Sequence, residues 1–467
     1  MALFLFPYRY LNDKIRSQEK RMKKITGNSI NTTNQMPEVE AEELAQYIGS
    51  IILIHGSIIK IRRMQGFAFV LLRTKRDVLQ CVYSEDFSAF KLDRLTEESC
   101  VRFTAKVVEE ARSKTGTELH LLQVEILSQP FESSPIVINQ KVVDTSLEHL
   151  LHFRPITLRN ERQRAIFKLQ EGITSGIRTF LSNERFTEIH SPKIVLSGAE
   201  GGANVFQLDY FGKTAYLAQS PQIYKQMMVG VFERVYEIGP VFRAEKHDTS
   251  RHLNEYTSID FEMGYIHSFY EIMEMETKML RFLMEYLNQN YLKEITLLSV
   301  RIPSVDEIPA VTFREAKELA ATGLGKEFKD SKDLEPAEEK EICDFIYKTT
   351  GSEFVFVTHY PSVKRPFYAM DSQDNHEETE SFDLLFRGIE ITTGGQRIHQ
   401  YEEQVKKMRS RNMDPGFFES YLMIHKYGMP PHGGLGIGLE RLTSKLLEQD
   451  NVRLSTLFPR DRSRLEP

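Results

Sequence analysis

At 467 residues, 41% of them hydrophobic and 27% charged, the chain is too long for one ordinary core and has apolar material for two or three domains. No apolar run approaches the ~20 residues that cross a bilayer, which speaks against a membrane protein. A formal net charge of -6 excludes polyanion binding by the surface as a whole, so any nucleic-acid contact must use local patches. Cys81, Cys100 and Cys343 are far apart, with no CxxC or Cys/His pairing. That spacing argues against a disulfide framework and against zinc, and for a reducing compartment such as the cytoplasm.

The apolar start from Met1 to Phe6 is too short for a signal h-region and runs into cations. Lys14, Arg16, Lys20, Arg21, Lys23 and Lys24 follow at spacings that make either a basic helical face or a solvated tail. Residues 27–40 are rich in Asn, Thr and Glu and read as a linker, so 1–44 is set apart as a basic extension and linker. From 45 to 130 come β-rich runs: Ile51 to Ile61, Phe67 to Arg73, Val78 to Tyr83, Val101 to Val108 and Leu119 to Leu127. Five strands with turn-like breaks predict a small Greek-key barrel, an architecture that binds oligonucleotides across an open face. Aromatic rings on such a face stack unpaired bases at roughly 1–3 kcal/mol each. Phe69 is the candidate ring and Gln80 a neighbouring base reader, although periodicity alone favours Phe69 as barrel core.

A hinge over 131–155 leads to the larger domain, 156–467. A long amphipathic helix from about Arg159 to Leu181 feeds a strand near Phe186 to Pro192. Strands near Gln207, Ala215, Arg234, Tyr256, Phe354 and Glu390 recur with helices between them, and a helix from Leu439 closes the chain. Mixed elements without regular βαβ alternation predict an α+β class, with an antiparallel sheet flanked by helices.

Chemistry concentrates in three blocks. Phe242 to Tyr256, leading to Asp260 and Glu262, packs cations and carboxylates into a strand, loop and strand. Arg243 and Arg251 on such a hairpin can converge on one anion, and planar guanidinium suits phosphate. In Phe382 to Arg397, Asp383 and Glu390 precede Gly394, Gly395 and Arg397, a pattern that lets backbone approach a ligand while the carboxylates hold Mg²⁺. In Gly433 to Leu442 the glycines look like a nucleotide fingerprint, but no βαβ unit follows. A strand–helix junction whose glycines admit a nucleotide, with Arg441 stacked on it, is the alternative.

These blocks, with the Pro192 region, resemble the three signature motifs of class II aminoacyl-tRNA synthetases, and in detail the aspartyl-tRNA synthetase family of archaeal and eukaryotic type. Leu217 to Gln226 (LAQSPQIYKQ), Phe242 to Glu255, Gly388 to His399 and Gly433 to Leu442 carry the resemblance, which covers about residues 45–467. It implies an N-terminal OB-fold that reads the anticodon of tRNA(Asp), a class II catalytic domain, and a homodimer with Pro192 at its interface. It also implies that Arg243 holds the α-phosphate and Glu245 meets the adenine side. Tyr256 and Arg441 would sandwich the adenine, with Thr393 also near ATP, and His252 or Arg251 would reach the γ-phosphate. Asp383 and Glu390 would carry Mg²⁺. The L-aspartate pocket would use Glu200 of the Ser197 to Gly202 loop, Ser220, Gln222 and Asp260 around the α-ammonium, and Lys225 with Arg397 on the side-chain carboxylate. Arg243, Glu390 and Arg441 are the expected catalytic residues. The chain departs from the pattern in the barrel, where Met64 and Gln65 precede Gly66 and Gln129 replaces an acid.

Two cations converging on a small side chain reward a second negative charge, so the pattern favours aspartate over asparagine. An amide-forming paralogue without tRNA would not need the barrel. A non-catalytic scaffold would not need Arg243, Glu390, Arg397 and Arg441 together.

Overall fold

The computed structural model describes residues 36–75, 77–113, 116–196, 204–246, 248–327 and 332–466. The chain divides into two compact units, Met1–Pro135 and Ile136–Pro467. The first contains β1 (Ile51–Arg63), β2 (Phe67–Arg73), β3 (Val78–Ser84), β4 (Cys100–Glu109) and β5 (Thr117–Ser128), closed as a barrel in the order β1-β2-β3-β5-β4. Alternation builds it: Ala68, Val70 and Leu72 of β2 are buried, and the residues between them are not. Phe69 is therefore on the outer face, against the core placement that periodicity favoured, because the inward set of β2 starts at Ala68. The packed core also begins before residue 45, since Val39, Ala41 and Leu44 are buried with the barrel interior. The basic tail lies outside the described residues.

The second unit takes in most of the expected hinge. Arg154 is fully buried and donates to the carbonyls of Leu454, Thr456 and Leu457, which ties the segment after Ile136 to the chain's end. Its strands are β6 (Thr187–Glu188), β7 (Ile194–Val195), β8 (Gln207–Tyr210), β9 (Lys213–Leu217), β10 (Arg234–Phe242), β11 (Glu255–Gly264), β12 (Ala310–Thr312), β13 (Phe354–Thr358), β14 (Ser381–Phe386), β15 (Ile389–Arg397) and β16 (His432–Gly438). Eight form one sheet, β12-β13-β14-β15-β16-β11-β10-β6, antiparallel except at its two ends, and β7, β9 and β8 form a small second sheet. The long predicted helix is α1 (Glu161–Asn183), capped by the Asn160 side chain, which accepts from Arg162 and Gln163 N–H. With α2 (Tyr270–Asn290) it covers one sheet face, where Ile259, Phe261, Leu435 and Ile437 meet Leu169, Ile173, Met279 and Leu283. Each such side chain contributes about 1.5–3 kcal/mol when fully buried. The opposite face carries polar residues of the same strands and is the site. No helix among the described residues is long and apolar enough to cross a membrane.

One irregularity sets the site's geometry. Leu384 pairs with Thr392 and Leu385 with Glu390, so Ile391 is an extra residue, a bulge in β15. Ile391 and Thr392 both face the helices, and Glu390, Thr393 and Arg397 consequently share the polar face despite their odd and even numbers. Behind the bulge, Thr392 Oγ1 donates to Glu276 of α2 at 2.6 Å. Glu276 is fully buried, and burial pushes its carboxyl up to about 8. The folded protein thus binds this proton more tightly than the unfolded chain. The associated stability is full below the ordinary carboxyl range and falls as pH rises toward about 8. Glu276→Gln should therefore melt close to wild type at about pH 5 and increasingly above it toward about pH 9, and parallel melting curves would refute this.

Candidate active site

The polar face of the sheet forms a cleft of about 370 Å³. Into it the fold brings Ser220, Gln222, Lys225, Arg243, Glu245, Arg251, His252, Tyr256, Asp260, Asp383, Glu390, Thr393, Arg397 and Arg441, residues spread over more than 200 positions of sequence. Alternation explains β11, where Ser258, Asp260 and Glu262 face the site and Ile259, Phe261 and Met263 the core.

At one end of the cleft lie two cations and two carboxylates. Arg397 Nε donates to Glu262 Oε1 at 2.9 Å, and Lys225 Nζ lies 3.0 Å from Asp260 Oδ1 and 3.3 Å from Glu262 Oε2. Burial alone would push the Glu262 carboxyl up, but the charges of Arg397 and Lys225 together hold it below its usual range. Lys225 Nζ donates to Asp260 Oδ1 and, at 2.7 Å, to Leu435 O, so two of its three donors have hydrogen-bond acceptors among the described residues. Arg397 Nη2 donates to Gly434 O, while Nη1 has no hydrogen-bond partner among the described residues. Arg397 therefore has a guanidinium nitrogen left for a ligand, and Lys225 is ion-paired beside it to the shared Glu262. Gln222, on α3 (Gln222–Phe232), is buried beside them, its Nε2 without a hydrogen-bond partner among the described residues.

The glycines of β16 serve this arrangement more than a nucleotide. A Cβ on Gly434 would lie 2.1 Å from Phe261 O and 2.2 Å from Glu262 Oε2, so the absent side chain makes room for protein atoms. Gly436 and Gly438 do line the cleft, and α4 (Leu439–Leu446) starts directly after them.

Toward the other end, Arg243 lies over the Tyr256 ring at 5.8 Å, and Arg441 Nη1 donates to Glu390 O at 3.0 Å. Thr393 Oγ1 donates to Glu390 Oε1 at 2.9 Å. His252 shares a hydrogen bond with Thr249 at 2.6 Å and sits 3.9 Å from Glu245. Arg251 is ion-paired to Glu339 of the helix Pro336–Thr350. Asp383 accepts from Arg365 Nη2 at 2.8 Å, and Arg365 lies 4.0 Å over the Tyr360 ring. Burial, and the charge of Glu390 against the pull of Arg365, push Asp383 up to about 6. Among the described residues no three His, Cys, Asp or Glu side chains are placed to hold a metal by themselves. The carboxylates of Asp383 and Glu390, at an end of the cleft that also holds Arg243 and Arg441, nevertheless fit Mg²⁺, which is commonly held by one or two carboxylates plus substrate phosphates.

Comparison with known proteins gives the family of the chain. Residues 146–462 match the family described as tRNA synthetases class II (D, K and N), and residues 52–127 match the OB-fold nucleic acid binding domain. The chain is a class II tRNA synthetase. A relative from Thermus thermophilus, an aspartate–tRNA(Asp/Asn) ligase, is 44% identical over 430 residues, covering 92% of this chain and 100% of its own. An aspartate–tRNA(Asp) ligase from Pyrococcus abyssi is 37% identical over 434 residues, covering 90% and 97%. The structure of asparaginyl-tRNA synthetase from Pyrococcus horikoshii complexed with asparaginyl-adenylate superposes with a TM-score of 0.85 at 28% identity, covering 92% and 99%. The synthetase is thus an ATP-dependent aminoacyl-tRNA ligase of a family that binds tRNA, ATP and an amino acid.

Other expected positions of the synthetase fall elsewhere. Glu200 and most of its loop lie outside the described residues. Pro192 is exposed on a segment pinned by Glu237, which accepts from Ser191 Oγ at 2.6 Å and from Lys193 Nζ at 2.7 Å. Phe69 and Gln80 sit on the outer barrel face. Sequence reading missed Arg365, Glu339 and Tyr360. Glu339 reads as one more acid on a charged helix, and only the Lys364–Arg365–Pro366 run among aromatics marks Arg365 as unusual.

Proposed function

We propose that this synthetase activates L-aspartate with ATP and Mg²⁺, releasing pyrophosphate, and transfers the aspartyl group to the 3′ end of tRNA(Asp). The observation that carries the amino-acid assignment is the Arg397 guanidinium, fixed by Glu262 and Gly434 with Nη1 left over. Guanidinium only donates, so a side-chain carboxylate can accept from it through either oxygen, whereas an amide presents N–H groups on one side and meets donor against donor. This argument does not need excess positive charge, which Asp260 and Glu262 already offset.

In the reaction the aspartate α-carboxylate attacks the α-phosphorus in line, and no protein nucleophile is required. Arg243 would stabilise charge on the α-phosphoryl oxygens, and Arg441 with Tyr256 would hold the adenine. Arg251 or His252 would meet the terminal phosphate, with Arg251 exchanging Glu339 for it. Asp383 and Glu390 would hold Mg²⁺, whose bound charge offsets that of the phosphates. Alignment and electrostatic stabilisation supply the acceleration. Ser220, Gln222, Asp260 and Glu200 are proposed for the amino-acid end. The barrel would read the anticodon through Phe69 and Gln80. A homodimer through the Pro192 segment is supported by the exposed Ile194 and Leu196 beside it.

The test is amino-acid-dependent exchange of label between pyrophosphate and ATP. Aspartate should support it and asparagine and lysine should not; exchange with asparagine at equal efficiency would overturn the assignment. The Thermus thermophilus relative favours a second reading for the transfer step, in which tRNA(Asn) is charged as well. Aspartylation of purified tRNA(Asp) and tRNA(Asn) side by side separates the two.

A further inference from the structure

The barrel's outer face carries more than the ring and amide that sequence picked out. On β1–β2 Arg62 opposes Phe69, on β2–β3 Phe69 opposes Val82, and on β3–β5 Val82 opposes His120. Ala68, Val70, Cys81, Leu119 and Leu121, the flanking residues of these strands, are all buried in the core, so the row between them faces outward. Adjacent strands lie about 4.8 Å apart, which separates Phe69 from His120 by about 10 Å along one surface. In the neighbouring row Lys60 opposes Leu71 and Leu71 opposes Gln80, whose Nε2 contacts Glu118 Oε2 at 3.5 Å.

His120 is tied into this surface twice. Its Nε2 lies 3.4 Å from Glu118 Oε1, so Gln80 and His120 share one carboxylate. Its ring stacks on Phe87, with centroids 4.8 Å apart and planes within 4°. The imidazole is nevertheless still 31% exposed. A half-exposed ring held flat by an aromatic neighbour and a carboxylate has little side-chain freedom left to lose when a base is laid beside it. Arg62 and Lys60 put cations in the same two rows, where a phosphate backbone crossing the strands would run.

We infer that His120, backed by Phe87, is a second base-stacking position on the barrel, taking an unpaired nucleotide near the one at Phe69. The site extends the anticodon-reading face across β3 to β5, and it rests on the proposal that this face reads the anticodon. Its ligand is a run of unpaired RNA bases, bound by stacking and by backbone charge, with Gln80 and Glu118 between the rings as hydrogen-bonding groups.

The experiment is aminoacylation by the full chain with His120→Ala, His120→Phe and Phe69→Ala. Stacking is worth roughly 1–3 kcal/mol per base, so His120→Ala should raise the KM for tRNA by about tenfold or more. His120→Phe should stay near wild type, and pyrophosphate exchange should be unchanged in both His120 variants. If Phe69→Ala is impaired and His120→Ala charges tRNA like wild type, the second position is refuted while the anticodon reading stands. If neither variant is impaired, the anticodon reading falls with it. If His120→Ala lowers the melting temperature, 2-aminopurine placed in turn at each anticodon-loop position of RNA bound to wild type decides. Quenching at two positions supports the inference, and quenching at one overturns it.

Discussion

Arg397→Leu is expected to lower kcat/KM for aspartate in pyrophosphate exchange by about 10⁴, the scale on which a site built around one polar group rejects a ligand that cannot satisfy it. Nucleotide binding should survive, because the residues expected to hold ATP come from the connection between β10 and β11, from β11, from the bulged part of β15 and from α4. The substitution also strips Glu262 of its Arg397 ion pair, leaving Lys225 at 3.3 Å. Breaking a buried pair from one side costs about 3–5 kcal/mol. The variant is therefore to be compared with Arg397→Leu/Glu262→Gln, in which the orphaned charge is gone. If the double variant recovers thermal stability but not aspartate activation, the loss is one of recognition. Aspartate activation at wild-type efficiency in either variant would refute the role of Arg397.

The second large effect is expected at Glu390. Glu390→Gln should lower kcat for adenylate formation by about 10²–10³, as for loss of one preorganised group that stabilises transition-state charge. The Mg²⁺ concentration at half-maximal exchange should rise with it. Glu390 is tied to its neighbours by Thr393 and by the Arg441 guanidinium at 3.7 Å, and the glutamine keeps the volume and the Thr393 acceptor. A changed Mg²⁺ requirement with an unchanged melting temperature would therefore report on metal and phosphate rather than on packing. An unchanged requirement would remove Glu390 from the metal site.

Much of this was legible in the chain itself, for physical reasons. Alternating β-rich runs gave the barrel because its interior is filled by every second residue, and the five strands extend their predicted runs by no more than two residues at an end. The three charged blocks came together because they lie on adjacent strands, β10–β11, β14–β15 and β16. What stayed hidden depends on contacts between distant segments. Phe69 could not be assigned to a face until the register of β2 was known. The counter-ions Glu339 and Arg365 lie in a helix and a loop with no motif of their own. That Lys225 is held by protein groups could not be read from sequence, because it donates to Asp260 and the carbonyl of Leu435 and is ion-paired to Glu262.

The extra residue at Ile391 keeps two halves of the chemistry in phase. Were the ladder to run through Ile391 without the bulge, with the Arg397 end held by Glu262 and Gly434, every side chain upstream of it would turn over. Glu390 would point into the helix layer, while Arg397 would still greet its amino acid. Such a straightened strand would leave an enzyme that recognises its amino acid and cannot activate it, so binding and reaction are separable here by the parity of one strand.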